Sequence, residues 1–168
     1  VSTTGRYLSY VRAGNLYVYD LLSATEAQLT HDTDEAVTNG LADFIAQEEM
    51  HRFEGHWWSS DDRYLAFTRV DSSTIPISHR YEFGADALHV YAQRYPYAGQ
   101  TNAVVDLGVV DLPAKTVRWL DYRDHADDYL ARINVGAGIV VAQVQSRDQR
   151  ALTTKAIPLA GGAPSVLL

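Results

Sequence analysis

Cysteine is absent from this chain. Its absence excludes a disulfide framework, a thiolate metal site and a cysteine nucleophile. Positive charge is scarce: 14 Lys and Arg face 21 Asp and Glu, for a net charge of −7. A nucleic-acid-binding surface needs a basic face that displaces counterions, and no such stripe runs through the sequence. Long apolar runs are missing as well. Ile139-Val140-Val141-Ala142 is typical, far short of the roughly 20 residues of a helical membrane span. No secretory signal pattern opens the chain. There is no Gly-x-Ser-x-Gly elbow, no Gly-rich phosphate loop and no His-Glu-x-x-His. A serine hydrolase centre of the elbow type is therefore not contained in these residues.

What is present reads as β structure. The 168 residues are 46% hydrophobic, with 11 Tyr, 11 Gly and one Met, enough for a core and poor in long helix-forming stretches. Residues 7–12 form a strand pattern, Ala13-Gly14-Asn15 a tight turn, and residues 16–21 a second strand, which together make a hairpin. Ser23 to Glu26 reads as a polar turn and residues 28–30 as a short third strand. Much of this recurs. Residues 5–12 align with residues 62–69 at an offset of 57, and residues 16–21 align with residues 107–112 at an offset of 91. Further strand patterns follow at residues 139–144, 150–159 and 166–168. Repeated short hairpins at about 40–50 residues are the mark of β-propeller blades. The unequal offsets imply insertions, one between Thr30 and His56 and one between Asp71 and Val105. At about 40–45 residues per blade, the chain holds three to four blades. Propellers close with about four to eight. The expectation is an all-β fold: a partial β-propeller, an arc cut from a longer protein, with a short helical insertion.

That insertion is residues 39–50, where Leu41, Phe44 and Ile45 recur at helical spacing. Near its end stand Glu48 and Glu49, adjacent carboxylates disfavoured at a helix C-terminus unless a cation meets them. Paired carboxylates suit an ammonium ion, which offers three donors and one point charge. Composition and spacing alone leave a second reading open, a solvated pair on a helix face. His51, Glu54 and His56 do not have the spacing of a zinc pair, and no metal or other cofactor is expected. Trp57 and Trp58 read as core of a strand leading into the Asp61-Asp62 turn. His31, His79, His89 and His125 stand alone.

Residues 39–71 carry a resemblance. Asn39-Gly40-Leu41-Ala42-Asp43-Phe44-Ile45-Ala46-Gln47-Glu48-Glu49-Met50, followed by His56-Trp57-Trp58-Ser59-Ser60-Asp61-Asp62-Arg63-Tyr64-Leu65-Ala66-Phe67, resembles the dipeptidyl peptidase IV family of serine peptidases, in the prolyl oligopeptidase clan. That family's pattern is Gly-x-x-Asp-aromatic, a double glutamate, then Trp-Trp-Ser-Pro-Asp-Gly. Residues 71–76 resemble its Asp-Glu-Ser-x-x-Pro segment. Tyr95-Pro96-Tyr97-Ala98-Gly99-Gln100-Thr101-Asn102 resembles its Tyr-Pro-Lys-Ala-Gly-x-x-Asn segment, and Arg147-Asp148-Gln149 its Asn-Arg-x-Gln segment. The matches run in family order over nearly the whole chain and are most similar to bacterial members. Ser60 replaces the family's Pro, Arg63 follows Asp62 where the family has Gly, Tyr97 replaces Lys and Ala103 replaces Pro. Gln47 stands where some members carry a third glutamate.

The resemblance implies that residues 1–168 are part of the N-terminal propeller, eight-bladed in the parent. A C-terminal α/β-hydrolase domain would supply the Ser-Asp-His triad, so no catalytic residue is assigned to this chain. It implies an exopeptidase that releases X-Pro or X-Ala dipeptides from peptides with a free N-terminus. Glu48 and Glu49 would bind the substrate's α-ammonium. The implied partners are the peptide substrate, the hydrolase domain and a second copy of the protein, without nucleic acid or a membrane span; the implied location is periplasmic or secreted. The alternative is a non-catalytic propeller scaffold that binds a protein or a glycan.

Overall fold

Local turn chemistry sets the first elements. Gly14 at φ 72° follows Ala13 at φ 48°, and this two-residue turn joins β1 (Tyr7–Arg12) to β2 (Asn15–Asp20). The Asp20 carboxylate accepts from the backbone N–H of Leu22 (2.9 Å) and Ser23 (3.4 Å), so the chain turns there and re-enters the sheet as β3 (Thr25–Gln28). The third strand thus starts at Thr25, earlier than the expected residues 28–30. It also stops earlier, because beyond Gln28 the Thr30 side-chain oxygen accepts from Leu16 N–H. The following elements are β4 (Val37–Asn39), α1 (Phe44–Glu48), β5 (His56–Trp58), β6 (Tyr64–Asp71), β7 (Ile77–Phe83), β8 (Leu88–Arg94), β9 (Val104–Asp111), β10 (Thr116–Leu120), β11 (Tyr129–Val135), β12 (Ile139–Gln145), β13 (Leu152–Pro158) and β14 (Ser165–Val166). The computed structural model describes residues 1–136 and 138–168.

Three blade-like antiparallel sheets follow one another along the chain. The first has the order β1-β2-β3. The second has β10-β9-β6, with β4 and β5 both paired to the far side of β6. The third has β11-β12-β13-β14. β7 and β8 form a separate two-stranded hairpin inside the expected insertion between Asp71 and Val105. Among the described residues the fold is all-β, a partial propeller, with one short helix. That helix is no candidate membrane span, and among the described residues no helix is long and apolar enough to cross a membrane.

The sequence repeat is a structural repeat in register. Tyr7 pairs with Asp20 across β1 and β2, and Tyr64 pairs with Asp111 across β6 and β9. These are the positions related by the offsets of 57 and 91. The ion pairs correspond too: Arg6 meets Asp20 at 2.7 Å and Arg63 meets Asp111 at 3.0 Å. The turn before each strand is also repeated. Ser2 N–H donates to Tyr7 C=O at 2.8 Å, Ser59 N–H to Tyr64 C=O at 2.9 Å, and Ser146 N–H to Ala151 C=O at 2.9 Å. Each serine hydroxyl accepts the return bond, from Tyr7, Tyr64 and Ala151 N–H respectively. Each turn places its fourth residue in the left-handed region: Gly5 at φ 80°, Asp62 at φ 56° and Gln149 at φ 60°. The residue that takes the family's glycine position is therefore Asp62, not Arg63.

Side-chain alternation along β6 faces the middle sheet both ways. Leu65, Phe67 and Val110 pack with Leu16 and Val18 of the first sheet. Ala66, Leu107 and Val109 pack with Leu130, Val140, Ala142, Val144 and Ile157 of the third. Trp57 packs against the second of these clusters and Trp58 against the first, both half-buried at the edge of the core rather than within it. Gly108 lies opposite Phe67, where an added Cβ would come within 2.7 Å of the phenyl ring, so the close approach needs glycine.

Candidate functional site

The edge of the middle sheet is interrupted. β4 pairs with residues 69–71 of β6 and β5 with residues 65–67. Residues 40–55 leave the sheet between them and carry α1. The base of this excursion is closed tightly. Leu41 and Glu54 form an isolated bridge, and Thr68, fully buried, donates its hydroxyl to Leu41 C=O at 2.8 Å. A Cβ on Gly55 would lie 2.3 Å from the Leu41 carbonyl carbon; only glycine lets the two arms of the excursion lie this close.

The helix itself is shorter than the expected segment of residues 39–50. Asn39 belongs to β4 and Leu41 to the bridge. Asp43 supplies the cap, its carboxylate accepting from Ala46 N–H at 3.3 Å. The last helical bond runs from Glu49 N–H to Ile45 C=O at 3.0 Å. The chain then reverses through His51, at φ 51°. Glu48 is the last helical residue and Glu49 the cap beyond it, as the sequence places them, and both are exposed. No basic residue occupies the last turn. Among the described residues neither carboxylate has an ion-pair or side-chain hydrogen-bond partner. Gln47 differs: its side-chain amide donates to Ala42 C=O at 2.8 Å, which holds it against the helix start.

Two neighbours fix this helix in place. Phe44 packs edge-on against Tyr95 at 5.2 Å, and Tyr95 against Tyr97 at 4.9 Å. On the inner side lies Arg52, 6% exposed. Its guanidinium donates to Asp43 at 3.3 Å, to Glu54 C=O at 2.7 Å and to Leu130 C=O in β11 at 3.2 Å. Burial pulls the Arg52 pKa below the ordinary arginine value, while the Asp43 charge opposes that shift. The guanidinium stays cationic, since arginine starts so high. Met50, next to Glu49, lines a cavity of about 510 Å³ together with Asp43, Asn102, Arg123, Tyr129 and Arg147. Arg147, from the Arg-x-Gln segment, donates to Gln100 C=O at 3.1 Å and to the Tyr129 hydroxyl. Asp43 is the Asp of the Gly-x-x-Asp-aromatic pattern, whereas no motif marks Arg52. The helix cap was legible in Asp43, three residues before Ala46, whereas the burial of Arg52 depends on β11, about 80 residues away.

The remaining candidates are dispersed. His51 is exposed. His56 Nδ1 lies 2.9 Å from Gly40 C=O, and Glu54 accepts from the Trp57 indole at 3.3 Å. Among the described residues no group of three His, Asp or Glu side chains could hold a metal ion.

Comparison with known proteins bears on the family and the fold. The chain is 36% identical over 116 residues to the rat protein named inactive dipeptidyl peptidase 10, covering 67% of this chain and 14% of that protein. It is 32% identical over 119 residues to a probable dipeptidyl peptidase 4 of Aspergillus fumigatus, covering 66% and 15%. The chain therefore spans about a seventh of the length of these curated relatives. The crystal structure of Porphyromonas gingivalis dipeptidyl peptidase 4 superposes with a TM-score of 0.92 at 26% identity, over 99% of this chain and 24% of that one. The family model described as the dipeptidyl peptidase IV N-terminal region matches residues 1–168, and the chain belongs to that family.

Proposed function

We propose that this chain is the substrate-recognition segment of a dipeptidyl peptidase IV-like serine exopeptidase, in which Glu48 and Glu49 bind the α-ammonium of the substrate. One observation carries the reading: two adjacent, exposed carboxylates, without partners among the described residues, end a helix that is itself pinned on two sides. An ammonium supplies the charge that the helix C-terminus lacks. Fixing the amine at a set distance from a nucleophile in the hydrolase domain lets only the second peptide bond reach it. Positioning and length selection thus come from one contact. The released product is an N-terminal X-Pro or X-Ala dipeptide. A blocked amine has no charge to offer two carboxylates, which argues against acylated substrates.

In the complete enzyme, Glu48→Gln and Glu49→Gln are each expected to lower kcat/KM for a free-amine dipeptide substrate by about 10- to 100-fold, the worth of one charge-assisted hydrogen bond. The folded state should be unchanged by circular dichroism. Wild-type kcat/KM in both variants would overturn the assignment.

A second reading, a non-catalytic scaffold that binds a protein or glycan, is favoured by the 36% identity to relatives named inactive. The parent gene separates the two: a Gly-x-Ser-x-Gly elbow downstream, followed by Asp and then His, supports the enzyme. We also propose that the parent pairs with a second copy through the β7–β8 hairpin. Cross-strand partners share a face, and one face of this hairpin carries Ile77, Tyr81, Phe83, Leu88 and Val90, all exposed.

A further inference from the structure

We infer that Arg52 is a positioning residue for the Glu48–Glu49 pair: a buried guanidinium that locks the glutamate helix to the neighbouring blade. The inference rests on the reading that this pair receives the substrate amine, and it goes beyond it to the device that aims the pair.

A five-residue helix has no stability of its own, because nucleation alone outweighs so few hydrogen bonds. Its orientation must come from its attachments: Phe44 against Tyr95 on one side, and on the other Arg52, which holds both ends. At the start, Asp43 uses one carboxylate oxygen to cap Ala46 N–H and the other to accept from Arg52. At the far end, Arg52 N–H donates to Ala46 C=O at 2.8 Å, which closes the wide turn through Met50 and His51. The same guanidinium reaches Leu130 C=O in the third sheet. Among the described residues this is the one side-chain hydrogen bond from residues 41–55 to that sheet.

The arrangement is costly, which argues that it is retained for geometry. Among the described residues the cation is buried against a single carboxylate, and its Nε has no hydrogen-bond partner. A buried ion pair is weak evidence for stability, since apolar replacements are often as good. What such a replacement cannot reproduce is the fork, whose planar donors bind a carboxylate and two carbonyls in fixed directions. Remove it, and Asp43 loses its partner, the reversal at His51 loosens, and the carboxylates of Glu48 and Glu49 sample a wider range of positions.

The test is a double-mutant cycle in the complete enzyme. Arg52→Met should raise KM for a free-amine dipeptide substrate about tenfold, with kcat changed much less, as expected for misplaced binding groups. Reaction of the hydrolase nucleophile with an amine-free fluorophosphonate should be unchanged. In a Glu48→Gln/Glu49→Gln background, Arg52→Met should add less than about twofold, because its effect passes through the missing carboxylates. Full additivity, or an unchanged KM in the single variant, overturns the inference while leaving the glutamate reading intact. Glutamate variants with wild-type kinetics overturn that reading instead. Should Arg52→Met fail to fold, Asp43→Asn keeps the cap acceptor, removes the ion pair and takes its place in the same cycle, with the same two outcomes deciding.

Discussion

At Asp62 two effects oppose each other. Its backbone sits at φ 56°, a conformation in which glycine carries no steric penalty and a side chain costs about 1 kcal/mol. Its carboxylate, though, accepts from the Ser2 hydroxyl at 2.6 Å, from Thr4 N–H at 3.2 Å and from the Thr4 hydroxyl. These bonds tie the turn before β6 to the turn before β1, 60 residues away in sequence. Hydrogen bonds to a charged group contribute roughly 1.5–3 kcal/mol each, so the bonds outweigh the strain. Asp62→Gly is expected to destabilise by about 1–3 kcal/mol in urea unfolding, despite restoring the family's residue. Burial pushes the Asp62 pKa up, but the Ser2 and Thr4 bonds more than offset it, and the net direction is down. A carboxyl with a depressed folded pKa stabilises fully above its unfolded value near ~4 and loses that contribution as pH falls through the folded value. The stability gap between wild type and Asp62→Asn should therefore be full at pH 6 and shrink below about pH 4. A gap constant down to pH 2 would count against the charge. The turn itself was legible from Ser59-Ser60-Asp61-Asp62. Its partners were not, because Ser2 and Thr4 carry no pattern that points at Asp62. The third copy of this turn, at Ser146 to Gln149, is not marked in the sequence, because its fourth residue is neither Gly nor Asp.

The elements divide by whether their signal is local. β1, β2, β6 and β9 recur with Tyr, Leu and Val in the same order, and the two offsets proved to be a register. The β7–β8 hairpin is legible too, inside the segment that the unequal offsets mark as an insertion. Ile77, His79, Tyr81 and Phe83 alternate with polar residues, Gly84-Ala85-Asp86-Ala87 supplies a turn, and Leu88, Val90 and Ala92 continue the alternation. A lone two-stranded hairpin is marginal in water, and Phe83 is 83% exposed at its tip. If a second copy covers this face, Tyr81→Asp/Phe83→Asp should convert a dimer of the parent to a monomer in light scattering. The circular dichroism spectrum should be unchanged, because the substituted side chains leave both core clusters untouched. A dimer that survives the substitutions would place the interface elsewhere. The helix was the harder element. Its apolar spacing and its glutamates could be read, but its limits are set by the Leu41–Glu54 bridge and the reversal at His51, which are tertiary features.

Across the whole molecule, each sheet packs against its sequence neighbour, and the middle sheet is the one covered on both faces. β6 and β9 have hydrogen-bonded strands on both sides and buried side chains on both faces. Lys155 strengthens one of the two junctions from the third sheet. Its ammonium, 3% exposed as a residue, donates to Tyr122 C=O and to Asp124, each at 2.8 Å. Among the described residues the hairpin has neither kind of support, as β7 and β8 pair only with each other. Local opening free energy follows buried apolar contact and shared backbone bonds. Amide hydrogen exchange should therefore be slowest in β6 and β9, intermediate in β1 to β3 and β11 to β13, and fastest in β7 and β8. The gap between the extremes should be roughly two orders of magnitude or more. The measurement belongs on the Tyr81→Asp/Phe83→Asp variant, so that a partner cannot protect the hairpin. Equal protection in the hairpin and in β6 would mean that the arc opens as a single unit, with the hairpin bound into it.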